Sequence, residues 1–278
     1  PADITIYVDS ACTYDVSVFN VGDVTNEWDN CSTGIDATYT DVVTVGSCEG
    51  THVITRTWSL VDNCGNAAVE QVQVITVQDT ILPAFTVPAD ITIYTDSACS
   101  YNVSVMLVGD VTDEWDNCST GIEATYSDVV TAGSCEGTYV IARTWSLVDN
   151  CGNAALEHIQ VITLQDTILP AFTAPADITI YTDSACSYDV SVMLVGDVTD
   201  EWDNCSTGIE ATYSDVVTAG SCEGTYVIAR TWSLMDNCGN AALEHIQVIT
   251  VLDIILPVFT APADITIYVD SACTYDVS

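Results

Sequence analysis

The chain has 278 residues and a formal charge of −37, from 40 Asp plus Glu against three Arg and no Lys. That balance excludes nucleic-acid binding, which needs a basic surface to neutralise phosphates, and docking on anionic lipid. At 49% hydrophobic residues it is no solvated acidic tail, and no apolar run approaches the ~18–20 residues of a membrane span. Thirteen cysteines point to an oxidising, extracellular compartment.

The string PADITIY begins at Pro1, Pro88, Pro175 and Pro262, a fixed step of 87 residues. The domains expected are therefore repeats over 1–87, 88–174 and 175–261, with the start of a fourth over 262–278. Within a repeat, Ile4, Ile6 and Val8 alternate with polar partners and predict a first strand. Tyr14–Phe19 predicts a second. Thr51–Val61 and Ala67–Gln78 are the longest period-2 runs, rich in Val, Ile, Thr and Trp. Gly22, Gly34, Gly46, Gly50 and Gly65 punctuate these runs with turn chemistry, and no segment carries a 3.6-residue apolar stripe. Six or seven short strands in 87 residues read as all-β: tandem immunoglobulin-like antiparallel β-sandwich domains in a linear array. All seven prolines sit at the repeat junctions, as in ILPAFTVPAD, so the linkers should be short, extended and stiff. A semi-rigid rod is the expected result.

Each repeat holds four cysteines, which allow three pairings. Strand direction narrows them. A first strand running away from the entry end puts Cys12 at the far end, the return strand puts Cys31 at the near end, and Cys48 and Cys64 follow at far and near. The expected disulfides are Cys12–Cys48, Cys31–Cys64, Cys99–Cys135, Cys118–Cys151, Cys186–Cys222 and Cys205–Cys238. Zinc is the rival use, and it fails because no CxxC or His/Cys pair recurs.

The segment ARTWSLVDNCGNAALEHIQVITLQDTILPAFTAPADITI resembles the hyalin-repeat (HYR-like) family, with its D-x-x-G-N turn, final strand, D-T-x-x-P and P-A-D-I-T start. The version with extra cysteines is similar to repeats in very large cell-surface proteins of Bacteroidota. The resemblance covers every repeat and implies an extracellular, cell-surface adhesin or filament. The near-identical copies and the absence of Lys depart from the usual pattern.

The acids are candidate calcium ligands, since calcium takes six to eight oxygens from carboxylates, carbonyls and amides. Strand direction gathers Asp79, Asp90, Asp113, Glu114, Asp116, Asn117, Asp149, Asn150 and Asn153 at the first junction. Arg56, Arg143 and Arg230 each precede a Trp by two residues, so the two side chains share a strand face. An internal ion pair beside a core Trp is the favoured reading over an exposed ligand patch. His52 falls where the other repeats have Tyr139 and Tyr226, so no catalytic constellation recurs and no enzyme is expected. Asn30, Asn117 and Asn204 open N-x-S sequons. Ser10, Thr80, Ser97, Thr167, Ser184 and Ser271 sit in D-S/T-apolar triplets that look like Bacteroidota O-glycosylation sites.

The reading is thus a structural shaft whose partners are neighbouring repeats of the same chain and copies of itself in a lateral bundle. The alternative is a repeated adhesion module binding carbohydrate or protein.

Overall fold

The computed structural model describes residues 1–269 and 271–274. The chain divides into two compact units, Pro1–Ile168 with Asn204–Ser206, and Leu169–Asp203 with Thr207–Ser278.

In the first unit the chain opens with β1 (Ile4–Tyr7), a single helical turn α1 (Val18–Val21), then β2 (Thr38–Val45), β3 (His52–Ser59) and β4 (Gln71–Gln78). These strands form one sheet in the order β1-β4-β3-β2. The β2-β3 and β3-β4 pairs are antiparallel, whereas β1 runs parallel to β4 with Ile4 opposite Ile75. Alternation along β3 and β4 turns Ile54, Arg56 and Trp58 inward together with Gln73, Ile75 and Val77. The core is Ile6, Val8, Val21, Ile54, Ile75 and Val77, with Tyr14 and Val16 packed against it. Buried Gln73 donates to the carbonyls of Ala2 (2.9 Å) and Val21 (2.8 Å), tying the start of the chain and the helical turn to the sheet.

The strand expected over Tyr14–Phe19 does not form. Asp15 Oδ1 accepts the Ser17 amide at 2.8 Å, an Asx bond that bends the chain into α1. Gly22, at φ 92°, ends that turn. In this first repeat the layer facing the sheet is consequently loop and one helical turn, and residues 1–87 hold five regular strands, whereas residues 88–174 hold six, as anticipated.

The second sheet of this unit repeats the plan with β5 (Ala84–Thr86), β6 (Ile91–Tyr94), α2 (Val105–Val108), β7 (Thr112–Trp115), β8 (Thr125–Ala132), β9 (Tyr139–Ser146) and β10 (His158–Gln165). Its four-stranded order is β6-β10-β9-β8, and β5 pairs separately with β7, Ala84 opposite Trp115. The linker is therefore a strand of its own, and it completes a two-stranded ribbon on the repeat that follows it. The same residues in the first repeat, Thr25–Trp28, are not in a strand.

The second unit contains β11 (Ala171–Thr173), β12 (Ile178–Tyr181), α3 (Val192–Val195), β13 (Thr199–Trp202), β14 (Thr212–Ala219), β15 (Tyr226–Ser233) and β16 (His245–Leu252). Its sheet order is β12-β16-β15-β14, with β11 paired to β13. Its core is Ile180, Val195, Ile228, Ile249 and Val251.

An ion pair is built into each sheet. Asp41 on β2 faces Arg56 on β3, and the carboxylate takes both Nε and Nη2 at 2.8 Å. Nη2 also donates to the Val16 carbonyl at 2.7 Å, while the Tyr39 ring lies 3.8 Å from the guanidinium carbon. Arg143 with Asp128 and Arg230 with Asp215 repeat the arrangement. The hydrogen bonding of Arg56 to the Asp41 carboxylate, more than any other influence, raises the pKa of Arg56 against the opposing effect of burial. All three cations of the chain are thereby committed internally.

Candidate functional site

The cysteines cross from one repeat to the next. Cys12 is bonded to Cys118 and Cys48 to Cys151, with Cα atoms 5.0 and 5.1 Å apart. Cys99 is likewise bonded to Cys205. The expected Cys12–Cys48, Cys99–Cys135, Cys118–Cys151 and Cys205–Cys238 bridges are therefore incorrect. The expected Cys31–Cys64 and Cys186–Cys222 bridges are also absent, since all four of these thiols are free and exposed.

The physical reason lies in the turns. Cys12 sits at φ 58° in a turn closed by Asp9 N to Thr13 O at 2.8 Å. Cys48 sits in a separate turn closed by Gly46 N to Thr51 O at 2.8 Å. Strand direction does bring both to the same end of the repeat, but each projects from its own turn onto the following repeat. Gly50, at φ 78°, lies against the Cys12–Cys118 bridge, where a Cβ would overlap Cys118 Sγ.

Polar contacts surround the two bridges. Glu49 accepts the Thr120 amide at 2.7 Å and the Thr120 hydroxyl at 3.0 Å, and Asn150 Nδ2 approaches it at 3.3 Å. These bonds, the Thr120 amide first, lower the Glu49 pKa below the ordinary glutamate value. Asn117 Nδ2 donates to the Asp9 carbonyl at 3.1 Å, and Asn153 Nδ2 to the Asp79 carbonyl at 3.2 Å. Glu49 was not among the candidates read from sequence. Its signal was the Cys-Glu-Gly turn repeated at Glu136 and Glu223.

Beneath these contacts Asp79, Asp116 and Asp149 are all buried, with one oxygen of each within 4.8 Å of the others. At that separation like charges repel by on the order of 3 kcal/mol per pair at an effective dielectric near 20. Asp149 is occupied by its turn, accepting the Cys151 and Asn153 amides at 2.8 and 2.7 Å. Asp116 Oδ2 accepts the Cys118 and Ser119 amides at 2.9 and 2.7 Å. Asp116 Oδ1, Asp79 Oδ2 and Asn117 Oδ1 are buried without a hydrogen-bond partner. Unpaired buried carboxylate oxygens are costly unless a cation meets them. There is no Lys, and every Arg is already paired. A donor set of carboxylates plus an amide oxygen, with no nitrogen or sulfur ligand, fits a hard cation such as calcium.

Four of the nine expected calcium ligands are used elsewhere. Asp90 Oδ1 accepts the Val161 amide at 2.8 Å, anchoring β6 to β10. Asp113 lies beside the Thr112 hydroxyl at 3.1 Å, and Glu114 accepts the Ala124 amide. Asn150 serves Glu49 and the Thr120 carbonyl. What remains together is Asp79, Asp116 and Asp149, flanked by Asn117 and Asn153. Of the glycosylation candidates, Ser10, Thr80, Ser97, Thr167, Ser184 and Ser271 are all exposed, whereas the amide of the sequon residue Asn117 is spent inside the joint. The histidines pack against rings, His52 on Tyr14 at 5.3 Å and His158 edge-on to Phe85 at 5.3 Å.

No family model matches the chain, and no curated protein matches it. Among solved structures, the chain is similar to the EC1-3 segment of Drosophila N-cadherin, at 13% identity and a TM-score of 0.29, over 91% of this chain and 99% of that one. It is also similar to the sialic acid binding region of a Streptococcus sanguinis SK1 adhesin, at 12% identity and a TM-score of 0.17, over 91% and 76% of the two chains. The cadherin-like domains 1 to 4 of zebrafish RET match at 8% identity and a TM-score of 0.17, over 78% and 66%.

Proposed function

We propose that this chain forms part of the shaft of an extracellular cell-surface filament or adhesin, built from tandem hyalin-like β repeats and acting as a semi-rigid spacer without catalytic chemistry. The observation that carries the reading is the pair of disulfides crossing from the first repeat to the second. One covalent bond between two bodies leaves a swivel; two bonds from separate turns remove it. Such bonds persist outside reducing compartments, which suits an extracellular location. Calcium held by Asp79, Asp116 and Asp149 would supply the missing positive charge and draw the linker onto the second repeat. The remaining charge keeps neighbouring shafts apart at low salt, so a lateral bundle of copies forms only where cations screen it.

Single-molecule pulling from the two ends tests the reading. The unreduced chain should withhold at least the 106-residue separation of Cys12 and Cys118, roughly 350 Å of contour at ~3.3 Å per residue. Reduction should release it. A contour shortened only by spans of roughly 36 residues, as bonds internal to a repeat would give, contradicts the proposal.

A further inference from the structure

The two bridges and the acids of the joint between the first and second repeats are built from the same turns. In Asp116-Asn117-Cys118 the carboxylate precedes the bridging cysteine by two residues, and Asp116 Oδ2 accepts the Cys118 amide at 2.9 Å. Asp149-Asn150-Cys151 repeats the spacing, with Asp149 Oδ1 accepting the Cys151 amide at 2.8 Å. Asn117, inside the first of these turns, donates to the Asp9 carbonyl at 3.1 Å. That same carbonyl takes the Cys12 amide at 3.0 Å. One set of hydrogen bonds therefore positions both the acids and the cysteines.

Both groupings also draw on both repeats. Each bridge joins a cysteine of the first repeat to one of the second. The cluster joins Asp79, the residue after β4, to Asp116 and Asp149 of the second repeat. Closing the joint for oxidation thus gathers three buried carboxylates, and their like charges oppose that step. Asp79 and Asp116 are 6% and 7% exposed, and Asp79 Oδ2 and Asp116 Oδ1 have no hydrogen-bond partner. A cation on those oxygens turns the opposition into attraction.

We propose that cation binding by Asp79, Asp116 and Asp149 is coupled to the redox state of the joint. Calcium promotes the Cys12–Cys118 and Cys48–Cys151 bonds, and those bonds tighten calcium binding by the same factor. The inference rests on the calcium reading of this cluster and adds its regulation. The oxidant is a low-molecular-weight disulfide such as glutathione disulfide. One cysteine thiolate attacks it and releases a small thiol, and the partner cysteine then displaces the second small thiol from the mixed disulfide. Two electrons pass to the small disulfide for each bond, and the two cysteine protons leave on the released thiols. In reducing, calcium-poor surroundings the joint stays open; where calcium and oxidant meet, it locks.

The test equilibrates the full chain in glutathione buffers of graded thiol-to-disulfide ratio, with calcium or with chelator at matched ionic strength. Free thiols are alkylated, and the 12/118 and 48/151 cross-linked peptides are quantified by mass spectrometry. Calcium should raise the equilibrium constant for each bridge by roughly 5–150-fold. Asp79→Asn keeps an oxygen for the Ile81 amide; it should form both bridges at least as readily as the parent in chelator and lose the calcium response. A purely structural role for Asp79 predicts poorer bridging in both conditions and would overturn the proposal. Calorimetric titration of calcium into the parent and into a chain with Cys12, Cys48, Cys118 and Cys151 all replaced by Ser gives the reciprocal measure. The calcium binding that Asp79→Asn abolishes should be weaker in the bridge-free chain by the factor found for bridging. Equal affinity in the two chains with unmoved bridging overturns the coupling and leaves the calcium reading standing. Absence of any calcium binding that depends on Asp79 removes both.

Discussion

Replacing Asp128 with Ala is expected to destabilise the second repeat by about 3–5 kcal/mol, the usual cost of stranding one member of a buried pair. Arg143 is 1% exposed and takes the carboxylate through Nε and Nη2, both at 2.8 Å. Without Asp128, the guanidinium keeps the Val103 carbonyl at 2.9 Å and the face of Tyr126, and Asp110 acts on it without a hydrogen bond. None of these replaces the paired carboxylate, and the side chain cannot reach water without unpacking the inward face of β9. The Asp128→Leu, Arg143→Met double variant should lose much less, because an apolar pair leaves no buried charge. Guanidinium unfolding followed by tryptophan fluorescence separates the two. A single variant within about 1 kcal/mol of the parent would show that the pair is solvated and only incidental.

Calcium should raise the melting temperature of the unreduced chain, and chelator should lower it. An ion that binds only the folded form stabilises by about 2.7 kcal/mol at a hundredfold excess over its dissociation constant. For a unit of this size that corresponds to roughly 5–10 °C. The cluster predicts a second, opposite effect. Asp116→Asn removes one of three mutually repelling charges while keeping an oxygen to accept the Cys118 and Ser119 amides. It should therefore melt higher than the parent in chelator and lose the response to calcium. A merely structural role for Asp116 would lower stability in both conditions. Scanning calorimetry of parent and variant, with calcium and with chelator, distinguishes these outcomes, and equal melting of the parent in both would remove calcium from the account.

Strand periodicity was the legible part of this molecule. Ile54, Arg56 and Trp58 alternate inward as the period-2 run requires, and Arg beside Trp at i and i+2 resolves into an internal ion pair. The segment Tyr14–Phe19 misled because its apolar alternation is overridden by one Asx bond at Asp15, and short polar side chains compete with strand hydrogen bonding. The β5-β7 ribbon was illegible within one repeat because its two strands belong to successive repeats of the sequence pattern. The disulfides failed for the same reason. Direction along the strands places Cys12 and Cys48 at one end, but the nearest thiols there belong to the next repeat, a fact visible only when repeats are stacked. The acids illustrate the limit of counting ligands, since of those expected at the first junction Asp90 and Glu114 satisfy backbone amides while Asp79, Asp116 and Asp149 converge.

Peptide mapping of the unreduced protein, with its free thiols alkylated before digestion, bears most directly on whether the repeats are locked to one another. Cross-linked peptides joining Cys12 to Cys118 and Cys48 to Cys151 should appear, with alkylated Cys31 and Cys64. Peptides joining Cys12 to Cys48 would mean that each repeat is stapled only to itself, and a shaft with covalently fixed joints could not stand.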